Sequence, residues 1–200
     1  MRLIDLQTLS IIAGKYKGKK LELPPLEITR STKSIVRGSL FDRFQLEIKD
    51  AVFVEVFGGS GSMGFEALSR GASKAVFCEK NPISFETLKQ NAKSIDSNAS
   101  YLFKGDSFEL IDDIVSKAMS FEKNIIYYLD PPFDIREGMD DIYLKTIELI
   151  PKLSSNKTIS VSIEHHSKQK LPDSIDTMKL VKTKKFGKTT LSYYEVAQFI

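Results

Sequence analysis

The chain has 200 residues, 42% of them apolar and 28% charged, which fits an ordinary globular protein with one main domain and a small appendage. No run approaches the roughly 18 apolar residues of a membrane span, and the opening "MRLIDLQTLS" carries acid and polar residues where a signal peptide needs an apolar stretch. A cytoplasmic protein with no membrane contact is therefore expected. The single cysteine, Cys78, excludes an internal disulfide framework, no Cys/His cluster has zinc spacing, and no metal is expected. The net charge of +3 is uneven: ten Lys/Arg face six Asp/Glu over residues 1 to 50, seven face three over residues 168 to 200, and twelve face seventeen between. An acidic centre between two basic ends points to a polyanion gripped from the ends, with different work in the middle.

In chain order, "LSIIAGKYKGKKLELP" reads as a basic hairpin and "SIVRGSLFDRF" as a short helix, so residues 1–45 form an extension ahead of a main domain at 46–200. From residue 51, short β-rich runs alternate with helical patterns. "AVFVEVF" precedes "SMGFEALSRG", whose Met63, Ala67 and Leu68 have helical spacing. "KAVFCE" precedes "ISFETLKQNAKSI", "SYLFKGD" precedes "SFELIDDIVSKAM", "NIIYYLDPPF" precedes "DDIYLKTIELIPKL", and "TISVSIEHH" follows. This rhythm predicts parallel βαβ units in an open α/β sheet covered on both faces. "KLVKTKKFG" and "TTLSYYEVAQFI" then read as two strands around a glycine turn, closing the sheet with an antiparallel hairpin. Cys78 lies in the apolar run "AVFCE" and is expected to be a small buried hydrophobe. His165 and His166 close the fifth strand of the alternating region and are expected to be polar strand-end residues without a catalytic role.

Ligands of an open parallel sheet sit at the carboxyl ends of its strands, near the point where strand order reverses. Four polar features fall there: "VFGGSGSMG", "CEKN", "KGDS" and "LDPPF". Gly59, Gly61 and Gly64 formally match GxGxxG, as a backbone that turns tightly beside a ligand requires, though a ligand-free turn would read the same. Glu79 ends the next strand, where a carboxylate can accept from both hydroxyls of a ribose or stand as an exposed strand-end acid. Asp106 is either an acceptor for an adenine amine or the N-cap of the following helix. The glycine turn and Glu79 fit either a nicotinamide dinucleotide or an adenosyl cofactor, and Asp106 decides more between them.

"LDPPF" separates the two. Neither Pro131 nor Pro132 has a backbone N–H, while their carbonyls and the Asp130 carboxylate accept, and a residue before proline is held extended. An exocyclic base amine is a poor nucleophile because its lone pair is delocalised into the ring. Asp130 and the Pro131 carbonyl can bind its two hydrogens and favour a geometry that aims the lone pair at an electrophile. Phe133 can stack on the base, a contact worth about 1 to 3 kcal/mol.

The glycine turn, Glu79, Asp106 and DPPF together resemble class I methyltransferases that use S-adenosylmethionine, in the branch that methylates amino or amide nitrogens. More closely, "IIAGKYKGKKL", "TRSTKSIVRGSLFDRF", "VEVFGGSGSMGFEALSRGA" and "LDPPF" resemble the RsmD family of bacterial enzymes, which methylate the amino group (N2) of a guanine in small-subunit ribosomal RNA. The resemblance runs from about residue 11 to residue 195. It implies a Rossmann-like, seven-stranded, mostly parallel sheet with the last strand antiparallel, and a basic N-terminal extension that faces RNA. It implies that Gly59 and Gly61 line the methionine part of the cofactor, that Glu79 holds the ribose and Asp106 the adenine, within a cofactor-binding set that also includes Glu55, Gly58, Lys80, Ser107 and Asp130. Asp130 borders both ligands, and Asp130, Pro131 and Phe133 hold the target guanine. RNA contacts are expected from Lys15, Lys17, Lys19, Lys20, Arg30 and Arg37 in the extension, and from Lys185 and Lys188 near the C-terminus. The chain departs from the family pattern at Glu55, where Asp is usual, and at "RSTKSI", where the family favours Arg-Pro-Thr-Thr-Asp-Arg. A monomer acting on small-subunit rRNA or on an assembling small subunit is the expected form. The rival readings are a DNA adenine-N6 methyltransferase, an NAD-dependent oxidoreductase and a non-catalytic RNA-binding protein.

Overall fold

The computed structural model describes residues 7–25, 34–132 and 141–197. A short antiparallel hairpin, β1 (Thr8–Ser10) and β2 (Lys20–Glu22), precedes helix α1 (Ser34–Arg43). The alternating region follows: β3 (Val52–Glu55), α2 (Ser62–Ser69), β4 (Lys74–Glu79), α3 (Pro82–Ile95), β5 (Ser100–Lys104), α4 (Ser107–Met119), β6 (Ile125–Leu129), α5 (Ile142–Leu153) and β7 (Thr158–His166). The chain closes with β8 (Ser174–Ile175), β9 (Met178–Phe186) and β10 (Thr189–Val196). The main sheet runs β5-β4-β3-β6-β7-β10-β9-β8, with the first five strands parallel and the last three antiparallel to their neighbours. This is the expected Rossmann-like sheet, with one strand more than the seven expected. The extra strand, β8, has two residues, too few to carry any periodic signal.

Strand order reverses between β3 and β6: β3 leads through α2 to β4 on one side, while β6 lies on the other. The crevice beyond the carboxyl ends of those two strands is the natural ligand position, and both the glycine turn and the Asp-Pro-Pro segment open onto it. These strands are buried on both faces, which explains why they read as unbroken apolar runs. On one face, α1, α2 and α3 supply Leu40, Phe41, Met63, Phe65, Leu88 and Ala92 to a core that also contains Phe53, Phe77 and Tyr128. On the other, Ile111, Ile114 and Ala118 of α4 and Leu149, Ile150 and Leu153 of α5 cover Val54, Val76 and Tyr127. Each such side chain contributes about 1.5 to 3 kcal/mol when fully buried. Cys78 is buried among the second set, as its apolar run predicts. No helix among the described residues is long and apolar enough to cross a membrane.

The N-terminal hairpin is fastened to α2 by the buried carboxylate of Glu66 and by Ser69, which accepts from the amides of Lys15 (2.7 Å) and Tyr16 (2.9 Å). Glu66, fully buried, accepts from the amides of Ile12 (2.7 Å) and Ala13 (3.1 Å) and pairs with Arg70 (2.7 Å) and Arg37 (3.4 Å). Gly14 makes the close approach possible: its φ is +85°, and a Cβ there would stand 1.8 Å from the carbonyl oxygen of Ser69.

Candidate active site

The turn after β3 is built around its glycines. Gly59 and Gly61 have φ of 49° and 80°, in the left-handed region. Gly58 donates to the Cys78 carbonyl at 2.7 Å, tying the turn to β4. Gly64 is needed for a different reason: within α2, a Cβ there would lie 2.2 Å from the Phe77 ring and 3.2 Å from Glu55 Oε2. The three glycines of the formal GxGxxG therefore answer two separate demands, backbone conformation at the first two and helix-on-strand packing at the third.

Three acids of the sequence-derived site lie at consecutive strand ends, and each is held by backbone amides. Glu55, only 3% exposed, accepts from Gly64 N–H at 2.8 Å and Met63 N–H at 3.4 Å. It thus caps from outside a helix whose own N-cap residue is glycine, and its charge is favoured by the positive end of α2. Glu79 accepts from Gly59 N–H (2.7 Å) and Asn81 N–H (2.6 Å), coupling the glycine turn to the end of β4. Burial pushes the Glu79 carboxyl above the usual carboxylate range, with the amide hydrogen bonds opposing.

Asp106 does cap α4, accepting from Phe108 N–H at 2.9 Å, and its second oxygen receives the Lys80 ammonium at 2.6 Å. Burial raises its pKa, but Lys80 and the Phe108 amide outweigh that and leave the carboxyl below its ordinary value. Ser107 departs from the expected ligand-facing role. It is buried, and its hydroxyl donates to the Val56 carbonyl, pinning the start of α4 to the end of β3. Ser107 is a fastener under the site, because the first turn of α4 tucks beneath the neighbouring strand end.

At the end of β6, Asp130 is half-buried, Pro131 buried and Pro132 exposed; Phe133 lies outside the described residues. Beneath this segment Tyr128 is fully buried and donates to Glu164 Oε2 at the end of β7. Burial, then the Glu164 and Asp130 carboxylates, raise the Tyr128 pKa well above its ordinary value. Glu55 is the register partner of Tyr128 across β3 and β6. The glycine turn, Glu55, Glu79, Asp106 and Asp130 are thus brought to one edge of the sheet, around the strand-order reversal.

A family model described as "Conserved hypothetical protein 95" matches residues 9–195. The chain belongs to this family, the RsmD-family methyltransferases. It is 28% identical over 162 residues to the ribosomal RNA small subunit methyltransferase D of Buchnera aphidicola, covering 80% of each chain. It is 29% identical over 138 residues to the Escherichia coli K12 protein of the same name, covering 69% of this chain and 66% of that one. A solved structure from Escherichia coli superposes with a TM-score of 0.73 at 24% identity, covering 95% of this chain and 98% of that one. An RNA methyltransferase from Salinibacter ruber, solved with S-adenosyl-L-homocysteine, shares the fold at a TM-score of 0.56 and 16% identity, over 86% of this chain and 96% of that one.

Within this RsmD-family chain the basic ends divide into two kinds. Lys15, Lys17, Lys19 and Lys20 are exposed on the hairpin, with the Lys15 and Lys19 ammonium groups each 4.9 Å from the Tyr16 ring centroid. Lys185 and Lys188 are exposed on β9 and the turn that follows. Arg30 lies outside the described residues. Arg37 corrects the sequence expectation. It is 3% exposed, pairs with Glu66 and donates to the Ser10 carbonyl at 2.9 Å, so it fastens the hairpin and cannot face RNA. Burial lowers its pKa, with Glu66 and Glu55 opposing.

Sequence reasoning missed a recess of about 190 Å³ lined by Ser39, Asp42 and Arg43 of α1, Lys182 and Lys184 of β9 and Tyr193 of β10; Arg43 is half-buried and paired with Glu195. It also missed Asn91, 2% exposed, whose amide donates to the carbonyls of Ser60 and Glu22 at 2.9 Å each and accepts from Glu22 N–H at 2.9 Å. Asn91 thereby holds the glycine turn and the hairpin to α3. A signal for it exists: a polar residue interrupts the apolar stripe Leu88, Ala92, Ile95.

Proposed function

We propose that the chain transfers a methyl group from S-adenosylmethionine to the N2 amine of a guanine in small-subunit ribosomal RNA. The observation that carries this reading is the meeting of the glycine turn and the Asp-Pro-Pro segment at one strand-order reversal. The relatives named as ribosomal RNA small subunit methyltransferases support the RNA class. The residues present fit the cofactor: a turn with Gly59 and Gly61 at positive φ admits close backbone approach, and Glu79 is a carboxylate at the second strand end. Asp106, with Lys80, borders the third.

When bound, S-adenosylmethionine supplies an electrophilic methyl group on a sulfonium. The chain's own contribution is positioning and acceptor electrostatics. Asp130 Oδ and the Pro131 carbonyl accept the two amine hydrogens, and the prolines keep competing N–H donors out of the segment. The alkylated nitrogen is acidic, and Asp130 is the nearest acceptor that the segment itself provides. The guanine enters from a loop or flipped from its stack, since its amine lies on a base edge. Exposed lysines of the hairpin and of the β9 region, with the Arg43 recess, supply phosphate contacts.

Mass mapping of nucleosides in rRNA from cells with and without the protein tests the reading: one N2-methylguanosine should depend on its presence. With unmodified small subunits in vitro, Asp130→Ala should lower kcat by about 10²-fold or more, as loss of a transition-state acceptor does. Full activity of that variant would remove Asp130 from the mechanism, and a methylated adenine in place of guanine would favour the other amine-methylating reading.

A further inference from the structure

The ends of β6 and β7 carry a second acceptor that neither the motif nor the family pattern singled out. The two strands are parallel, with Leu129 the register partner of Ile163. Glu164 follows Ile163 within β7, and Asp130 is the first residue beyond the end of β6. Both carboxylates lie near enough to Tyr128 to act on its hydroxyl, which donates to Glu164 Oε2. Glu164 is 5% exposed and its register partner on β10 is Leu191, so an apolar wall backs the carboxylate. Two carboxylates therefore flank Tyr128, one just past the end of β6 and one within β7, with the tyrosine hydroxyl fixing the orientation of the second.

Guanine presents a matching pair of donors. Its Watson–Crick edge carries the N2 amine and, next to it, N1–H; adenine has an unprotonated, accepting N1 at the equivalent place. A carboxylate beside the amine-holding acceptor accepts from guanine N1–H and meets only a lone pair on adenine. A site built to hydrogen-bond one donor rejects an analogue lacking it far more strongly than an apolar pocket could. We propose that Glu164, held by Tyr128, is the specificity-determining acceptor for guanine N1–H and the reason that the site accepts guanine over adenine-like bases; this rests on the guanine-N2 reading above.

The test uses small subunits reconstituted with guanosine or 2-aminopurine riboside at the nucleotide located by mass mapping. 2-Aminopurine keeps the N2 amine and lacks N1–H. The wild-type chain should strongly prefer guanosine in kcat/KM. Glu164→Gln, whose amide can also donate to an unprotonated N1, should narrow that preference by about tenfold or more. Glu164→Asp, which keeps the charge, should retain most of it. S-adenosylhomocysteine affinity and Tm, measured in parallel, report whether each variant keeps its fold. An unchanged guanosine preference in folded Glu164→Gln, or equal relaxation in both variants, overturns the assignment. Absence of guanine methylation by the wild-type chain overturns the proposed function and this inference with it, so the two failures are distinguishable.

Discussion

Glu79 is the residue whose environment has the most direct consequence for ligand binding. Its carboxylate already orders Gly59 and Asn81, and burial holds its pKa above the ordinary value. An acid with a raised folded pKa adds stability below its unfolded value, and that contribution disappears as pH rises through the folded one. Under the proposed ribose-holding role, ligand binding has the opposite dependence, because the ribose hydroxyls would donate to the ionised carboxylate. Calorimetric titration with S-adenosylhomocysteine should show affinity falling on acidification from a higher pH than an ordinary carboxylate gives. Glu79→Gln keeps a carbonyl for the Gly59 amide. It should lose about 1.5 to 3 kcal/mol of binding at neutral pH, the usual worth of hydrogen bonds to a charged group, and flatten the profile. The sequence places Glu79 correctly at a strand end because strand and apolar run coincide there. It names Ser107 as a cofactor contact, whereas the folded chain buries its hydroxyl on the Val56 carbonyl, because local pattern does not show which way a first-turn serine faces.

At the scale of elements, the hairpin is an integral part of the α2 side of the molecule. Ile11, Tyr16 and Leu21 share one apolar cluster with α1, α2 and α3, and Glu66 joins the polar groups of three segments. Glu66→Ala leaves Arg37 buried beside Arg70 without its carboxylate. It should destabilise the protein by about 3 to 5 kcal/mol, measured by urea denaturation. Amide exchange at Ile12 and Ala13 should accelerate more than exchange in β3 or β6, since those two N–H groups lose their acceptor directly. If exchange at Ile12 and Ala13 and in both strands rises equally, Glu66 supports the whole fold and not the hairpin attachment. The hairpin itself and α1 were readable from pattern. Their attachment was not, since Glu66 stands 53 and 54 residues from its backbone partners and looks like one more polar helix residue.

Across the whole molecule, the exposed basic groups come from segments far apart in sequence. Lys15, Lys17, Lys19 and Lys20 lie on the hairpin and Lys182 and Lys184 on β9, while the half-buried Arg43 of α1 pairs with Glu195 and stacks 4.8 Å from the ring centroid of Tyr193 on β10. Lysines along β9 also protect the edge of the sheet, so a nucleic-acid role needs its own measurement. Lys182→Gln with Lys184→Gln should weaken rRNA binding and lower the slope of log affinity against log salt by up to about 0.9 for each lysine that meets a phosphate. An unchanged slope would leave edge protection as their role.

By itself the sequence determined the alternation of strands and helices, the glycine turn, the acids at strand ends and the acceptor-rich Asp130-Pro131 pair. Each is written in contiguous residues, where apolar periodicity, missing N–H groups and absent Cβ atoms act locally. Only the tertiary structure decided that Arg37 is an internal fastener, that Asn91 holds the glycine turn, and that Glu164 receives the Tyr128 hydroxyl. Those facts follow from strand order and register, which bring together groups separated by tens of residues and which no local pattern encodes.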